Sequence, residues 1–219
     1  MLHYLLFDLD ETLYTPGTGL WEAIGQRINL YMTERLGLSQ ADAEALRTRY
    51  RQQYGIALTG LMADYAINPD DYLNYVHALP IAQFLQPDAM LNAMLARLPL
   101  PKAILTNSDA AHSGRVLAQL GIARHFTHIV DVRALDFVHH KPQAEAYQRA
   151  AQIVGVRPDE CVFIDDLPNN LAAAHAQGMV TIHITHGRSN GHLPAGVDYA
   201  TENVLGVERI VAGLIGQTW

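Results

Sequence analysis

The spacing of its short apolar runs constrains this chain more than any other feature. Residues 4–8, 103–106, 128–132, 161–165 and 180–184 read as buried parallel strands. Helical patterns separate the last four. Val116, Leu117 and Leu120 share a face before Gly121, Tyr147, Ala150, Ala151 and Val154 share one before Gly155, and Leu171, Ala174 and His175 precede Gly178. Parallel neighbours need crossover connections, so this alternation predicts an α/β fold with a doubly wound, Rossmann-like parallel sheet. Its ligands should sit at the carboxyl ends of the strands.

Between the first and second runs lie about seventy residues with helical periodicity and no convincing strand, far more than a crossover needs. Leu20, Ile24, Ile28, Tyr31 and Met32 form one stripe, and Ala45, Leu46, Arg49 and Tyr50 continue it. Further helices are expected around 58–66 and after Asp70. The expectation is a helical cap over 16–85 inserted into a core of 1–15 and 86–219. Polar breaks at 16–19 and 80–87 would be the linkers.

Fifteen Lys and Arg against twenty-two Asp and Glu give a net charge of −7, which argues against a nucleic-acid polymer as partner. The only cysteine, Cys161, lies in an apolar run, where packing is the expected role, and a single thiol forms no internal disulfide. This composition suits a cytoplasmic location. The N-terminal run is broken by acids well short of the ~18 residues a membrane span needs, so it reads as a strand and no membrane association is expected.

Four elements carry chemistry. In Asp8-Leu9-Asp10-Glu11-Thr12 two carboxylates leave a strand on the same side, although an isolated D-x-D is more often just a strand running into its loop. Thr106-Asn107-Ser108 ends a second strand before a helix whose free amides suit an anion, and Ser108 or Asp109 also suits a helix cap. Lys141-Pro142 is expected to hold a lysine at a helix start, because proline favours the first helical position; a solvated surface lysine is the plainer reading. Asp165-Asp166 places adjacent acids at a strand terminus before Pro168, a set of hard oxygens suited to magnesium.

A doubly wound sheet gathers these strand ends. Four carboxylates against one ammonium would repel a phosphate dianion, so a divalent cation is electrostatically required. Mutual repulsion among clustered carboxylates favours a protonated acid, and a metal opposes it.

The order D-x-D-x-T, T-N, K-P, D-D resembles the haloacid dehalogenase superfamily. The resemblance implies an aspartyl-phosphate mechanism with Asp8 as nucleophile and Asp10 as general acid and base. It implies Mg2+ held by the Asp8 carboxylate, the Asp10 main-chain carbonyl and Asp166, with Asp165 orienting metal-bound water or exchanging roles with Asp166. Thr106 and Asn107 would bind phosphoryl oxygens, Lys141 would offset their charge, and Thr12 would support the Asp10 geometry.

FDLDETLYTPGTGLWEAIGQRI, TRYRQQYGIALTGLMADYAINPDDYLNYVH, LTNSDAAH and FIDDLPNNLAAAHAQGM together resemble the pyrimidine 5′-nucleotidase branch. That implies a nucleoside monophosphate, UMP or CMP, as the small phosphate ester hydrolysed. Glu11 stands where asparagine is common in the branch, and Phe137-Val138-His139-His140 replaces a more apolar, proline-containing segment. His139 and His140 read as an exposed loop pair.

The alternatives are a phosphatase of another small metabolite, a 2-haloacid dehalogenase, and a non-enzymatic phospho-receiver module. Asp10 disfavours the dehalogenase, since carbon–halogen chemistry needs no acid for an alcohol, and an inserted cap would occlude a receiver's docking face. Tyr14, Trp21, Tyr54 and Tyr65 read as bundle core rather than site residues.

Overall fold

The computed structural model describes residues 1–188 and 191–216. Six parallel strands, β1 (Tyr4–Phe7), β2 (Lys102–Leu105), β3 (Phe126–Val130), β4 (Cys161–Asp165), β5 (Val180–Ile184) and β6 (Tyr199–Thr201), form one sheet in the order β3-β2-β1-β4-β5-β6. Strand order reverses around β1, and the crevice beyond its carboxyl end is where such sheets bind ligands. The register that pairs Phe7 with Ile164 brings Asp8 beside Asp165.

Alternate strand residues point to opposite faces, and both faces are covered. Leu5, Phe7, Ile104 and Ile164 join one cluster, while Leu6, Leu105, Cys161 and Phe163 join the other. Cys161 is a free, buried thiol there. On the first face lie α5 (Ala89–Arg97), α6 (Ala110–Leu120) and α9 (Val207–Leu214); on the second lie α7 (Ala144–Ile153) and α8 (Pro168–Ala176). Among the described residues no helix is long and apolar enough to cross a membrane.

The insert folds as α1 (Leu20–Leu36), α2 (Gln40–Tyr54), α3 (Ala57–Tyr65) and α4 (Pro69–Val76). Local signals set their ends: Ser39 caps α2, Asn68 with Pro69 starts α4, and left-handed Gly37 stops α1. The buried stripe of α2 is Ala43, Leu46 and Tyr50, whereas Ala45 and Arg49 are exposed, so the expected stripe was displaced at one end. The cluster of these helices also takes in Val132 and Phe137 from the loop after β3.

Several boundaries differ from the sequence reading. The third strand runs over Phe126–Val130, two residues earlier than expected, because Asp131 leaves the sheet to accept N–H bonds from Ala110 (2.8 Å) and Ala134 (2.9 Å). Val132 then turns into the cap cluster. Three-residue β6 has no apolar run to announce it, and α5, capped by Asp88, follows the insert unpredicted.

Two mid-helix glycines invite opposite outcomes. A Cβ on Gly60 would lie 2.4 Å from the ring of buried Tyr50, whereas one on Gly114 would meet nothing within 4 Å. Gly60→Ala should destabilise the protein by about 1–3 kcal/mol through overpacking. Gly114→Ala should stabilise it by about 0.5–1 kcal/mol. Urea unfolding of the two variants checks the pair.

Candidate active site

Asp8 follows β1 directly, and its backbone N–H donates to Ile164 O at 2.9 Å, which fixes its approach to β4. The Lys141 ammonium donates to Asp8 Oδ1 (2.6 Å) and to Asp165 Oδ2 (2.8 Å), and all three residues are buried. Lys141 is therefore no surface lysine. Burial alone would push its ammonium down, but Asp165 and Asp8 outweigh that and hold it well above the usual lysine range.

The lysine is placed differently from the expected helix start. Helix α7 begins at Ala144, and the Lys141–Pro142 peptide bond, which is cis, lies ahead of it. The Asn107 side chain holds the segment instead, accepting from Lys141 N and donating to Lys141 O, both at 2.9 Å. His140 is buried beside them with Nδ1 3.0 Å from Lys141 O, so it is not the exposed loop residue the sequence suggested. Left-handed Gly55 of the cap makes a close approach here: a Cβ on it would lie 3.3 Å from Lys141 O.

Asp165 is fully engaged. Besides Lys141 it accepts from Leu167 N (2.7 Å) and from Asn170 Nδ2 (3.1 and 3.0 Å). Among the described residues the Asp166 carboxylate accepts a single long contact, from Thr12 Oγ1 (3.4 Å), and the same hydroxyl donates to Asp8 Oδ2 at 3.0 Å. Thr12 thus braces Asp8 and Asp166 rather than Asp10. Carboxylate oxygens of Asp8, Asp165 and Asp166 lie within 4.8 Å of one another.

Burial, and then repulsion from Asp8 and Asp165, pushes the Asp166 carboxyl up. Burial likewise raises Asp8 despite Lys141. Three crowded oxygen donors with too little positive charge fit a hard divalent cation such as Mg2+, which would restore both acids to their ionised form. The lightly engaged Asp166, and Asp8, each of whose oxygens accepts one hydrogen bond and keeps a lone pair, are the carboxylates that could hold it.

Asp10 sits in a different environment. Its carboxylate accepts from Ser108 Oγ (2.6 Å) and Tyr14 OH (2.8 Å), and His112 Nε2 lies 3.0 Å away. Burial pushes this carboxyl up, but His112 and the hydroxyls outweigh it and hold it below the ordinary range. Repulsion among clustered acids therefore does not govern Asp10, a balance the sequence left open.

Sequence reasoning missed His112, His77 and Asn170 and set Tyr14 aside as core. Ser108 and Asp109 were seen only as candidate caps. Asp109 does cap α6, accepting from His112 N. The periodicity of α6 was the available signal, since it turns His112 inward on the same side as Val116.

Thr106 is buried, and its Oγ1 accepts from Ser108 N (3.0 Å), leaving its own proton to donate. With Asp8, Asp10, Lys141 and Asp166 it lines one side of a cavity of about 150 Å³. Trp21, Ile24, Ile28, Ile56, Leu58 and Leu73 of the insert form an apolar opposite wall. Arg51 and Gly55 stand where this cavity meets a wider polar groove between α2 and the Lys141 loop. Glu11, with φ +62°, also lines the cavity, and His186 Nε2 holds its carbonyl at 2.6 Å. Asparagine adopts that left-handed conformation more readily than glutamate.

Residues 3–178 match the family of haloacid dehalogenase-like hydrolases, and the chain belongs to it. Phosphate metabolism protein 8 of Saccharomyces cerevisiae is 28% identical over 91% of this chain, which spans 64% of that protein's length. A phosphoglycolate phosphatase of Pectobacterium atrosepticum is 28% identical over 85% of this chain and 82% of its own. A HAD phosphatase from Thermococcus onnurineus shares the fold with a TM-score of 0.63, covering 97% of this chain and 99% of its own at 18% identity.

The raised carboxyls set the sign of a pH effect. Without metal, Asp8 and Asp166 bind protons more tightly folded than unfolded, so stability falls as pH rises from about 4 through their folded values. A divalent cation would bind the deprotonated pair. Mg2+ should therefore raise the melting temperature clearly at about pH 8 and little at about pH 5. Thermal melts with and without MgCl2 test this, and equal shifts at both pH values would contradict it.

Proposed function

We propose that this chain is a Mg2+-dependent phosphomonoesterase acting through an aspartyl-phosphate on Asp8, with UMP or CMP as its substrate. The observation that carries the reading is the buried Asp8–Lys141–Asp165 arrangement facing the cavity beside Thr106, Asp10 and Asp166. Mg2+, held by the carboxylates of Asp8 and Asp166 and the Asp10 main-chain carbonyl, would bring phosphoryl oxygens and nucleophile together and offset their charge. Asp165 and Thr12 keep those carboxylates in place.

Lys141 orients Asp8 Oδ1 and, with the Thr106 hydroxyl, offsets charge on the phosphoryl oxygens. Asn107 contributes chiefly by fixing the Lys141 backbone. Asp8 attacks phosphorus while Asp10 protonates the departing oxygen; Asp10 then takes a proton from the water that cleaves the acyl-phosphate. A phosphate dianion arriving beside Asp10 raises its carboxyl, so proton uptake accompanies substrate binding.

The cap, proposed over 16–85, supplies the leaving-group side. An apolar wall with Trp21 suits a planar base, and Arg51 at the groove suits its carbonyl oxygens or a second polar group. The phosphatase names among the relatives support phosphate-ester chemistry.

Asp8→Asn should reduce turnover at least about a thousandfold in protein that still folds; a rate within tenfold of the parent would reject nucleophilic attack by Asp8. Phosphate release from a panel of esters should favour UMP and CMP over phosphoglycolate and sugar phosphates. Arg51→Ala should raise KM about tenfold for the preferred ester with a smaller change in kcat. Equal or better turnover of phosphoglycolate would reject the nucleotide assignment.

A further inference from the structure

His112 is completely buried on the first turn of α6. Nε2 faces Asp10 Oδ1 at 3.0 Å, and because the Asp10 carboxylate is an acceptor, Nε2 carries the proton. Nδ1 is buried and has no hydrogen-bond partner among the described residues. A buried, unsatisfied ring nitrogen is destabilising, so a position kept only for packing would favour an apolar side chain.

Other groups hold the ring as well. His77, the residue after α4, stacks on it with centroids 4.4 Å apart and planes at 19°. His77 Nδ1 is 2.6 Å from Asp109 Oδ2, and its carbonyl accepts from Arg115 Nη2 at 2.6 Å. Asp109 Oδ1 in turn accepts from the His112 backbone N–H at 2.8 Å. Asp10, His112, His77 and Asp109 thus form one buried stack running from the reaction cavity to the end of the cap.

We propose that His112 is the positioning residue for Asp10. With Ser108 and Tyr14 it fixes the carboxyl in the orientation from which it exchanges a proton with the leaving oxygen. His77 fixes the His112 ring, so a docked cap and an aligned Asp10 occur together. His112 acts through Asp10 and touches no reacting atom. The inference rests on the phosphomonoesterase reading.

Leaving-group dependence tests it. An alkyl ester needs a proton on its departing oxygen, whereas p-nitrophenolate leaves without one, and kcat/KM reports the steps through phosphorylation of Asp8. His112→Leu and His112→Asn cannot reach Asp10; His112→Gln places an amide N–H near the lost Nε2. In the first two variants, kcat/KM for UMP and glycerol 3-phosphate should fall at least about tenfold more than for p-nitrophenyl phosphate. His112→Gln should restore most of the ratio.

The ratio is independent of the folded fraction, and the asparagine variant serves where leucine prevents folding. Equal losses on all esters, or no loss, would overturn the positioning role while leaving the phosphatase reading intact. A wild-type protein inert toward all three esters would overturn both.

Discussion

Burying one ammonium between two carboxylates is the constraint on which the site depends. Lys141 is taken out of water and is stabilised by holding Asp8 and Asp165 at hydrogen-bonding distance. Breaking such a pair by removing one partner costs about 3–5 kcal/mol, because the other charges stay buried and unpaired. Much of the surrounding structure follows from this. Asn107 grips the Lys141 backbone, Asn170 and Leu167 N saturate Asp165, and Gly55 lets the cap come close.

Four aspartates of identical chemistry are separated into different roles by their surroundings. Asp165 has every oxygen occupied and acts as a fixed counter-charge. Asp8 keeps one oxygen on Lys141 and the other on Thr12, while Asp166 is left nearly bare and its carboxyl rises. Asp10, with two hydroxyls and an imidazole around it, moves the opposite way. Groups pushed apart in this manner are what acid–base and nucleophilic chemistry in one small cavity requires.

The inserted helices touch the rest of the chain at several points besides their two ends. Val132 and Phe137 of the loop after β3 lie in the cap's apolar cluster, and Arg133 of that loop pairs with Asp70 of α4. The same loop ends at Lys141. His77 ties the other end of the cap to α6 through Asp109 and Arg115. Displacing the cap therefore disturbs the supports of both Lys141 and Asp10.

The sequence by itself determined the sheet, its winding and the residues at its strand ends. Apolar runs of strand length and glycine-stopped helical stripes are local patterns, and Asp8, Thr106, Lys141 and Asp165 could be read at or near the ends of such patterns. Tertiary structure alone decided what those residues touch. Nothing in the spacing of Lys141 and Pro142 places the lysine in the core, and nothing in LTNSDAAHS says that His112 meets an aspartate 102 positions earlier. Three-residue β6 and the departure of Asp131 from its strand were equally hidden, since both depend on partners distant in the chain. Local periodicity encodes which face of an element is buried, whereas charge balance, hydrogen-bond partners and the resulting proton affinities exist only once separate segments meet.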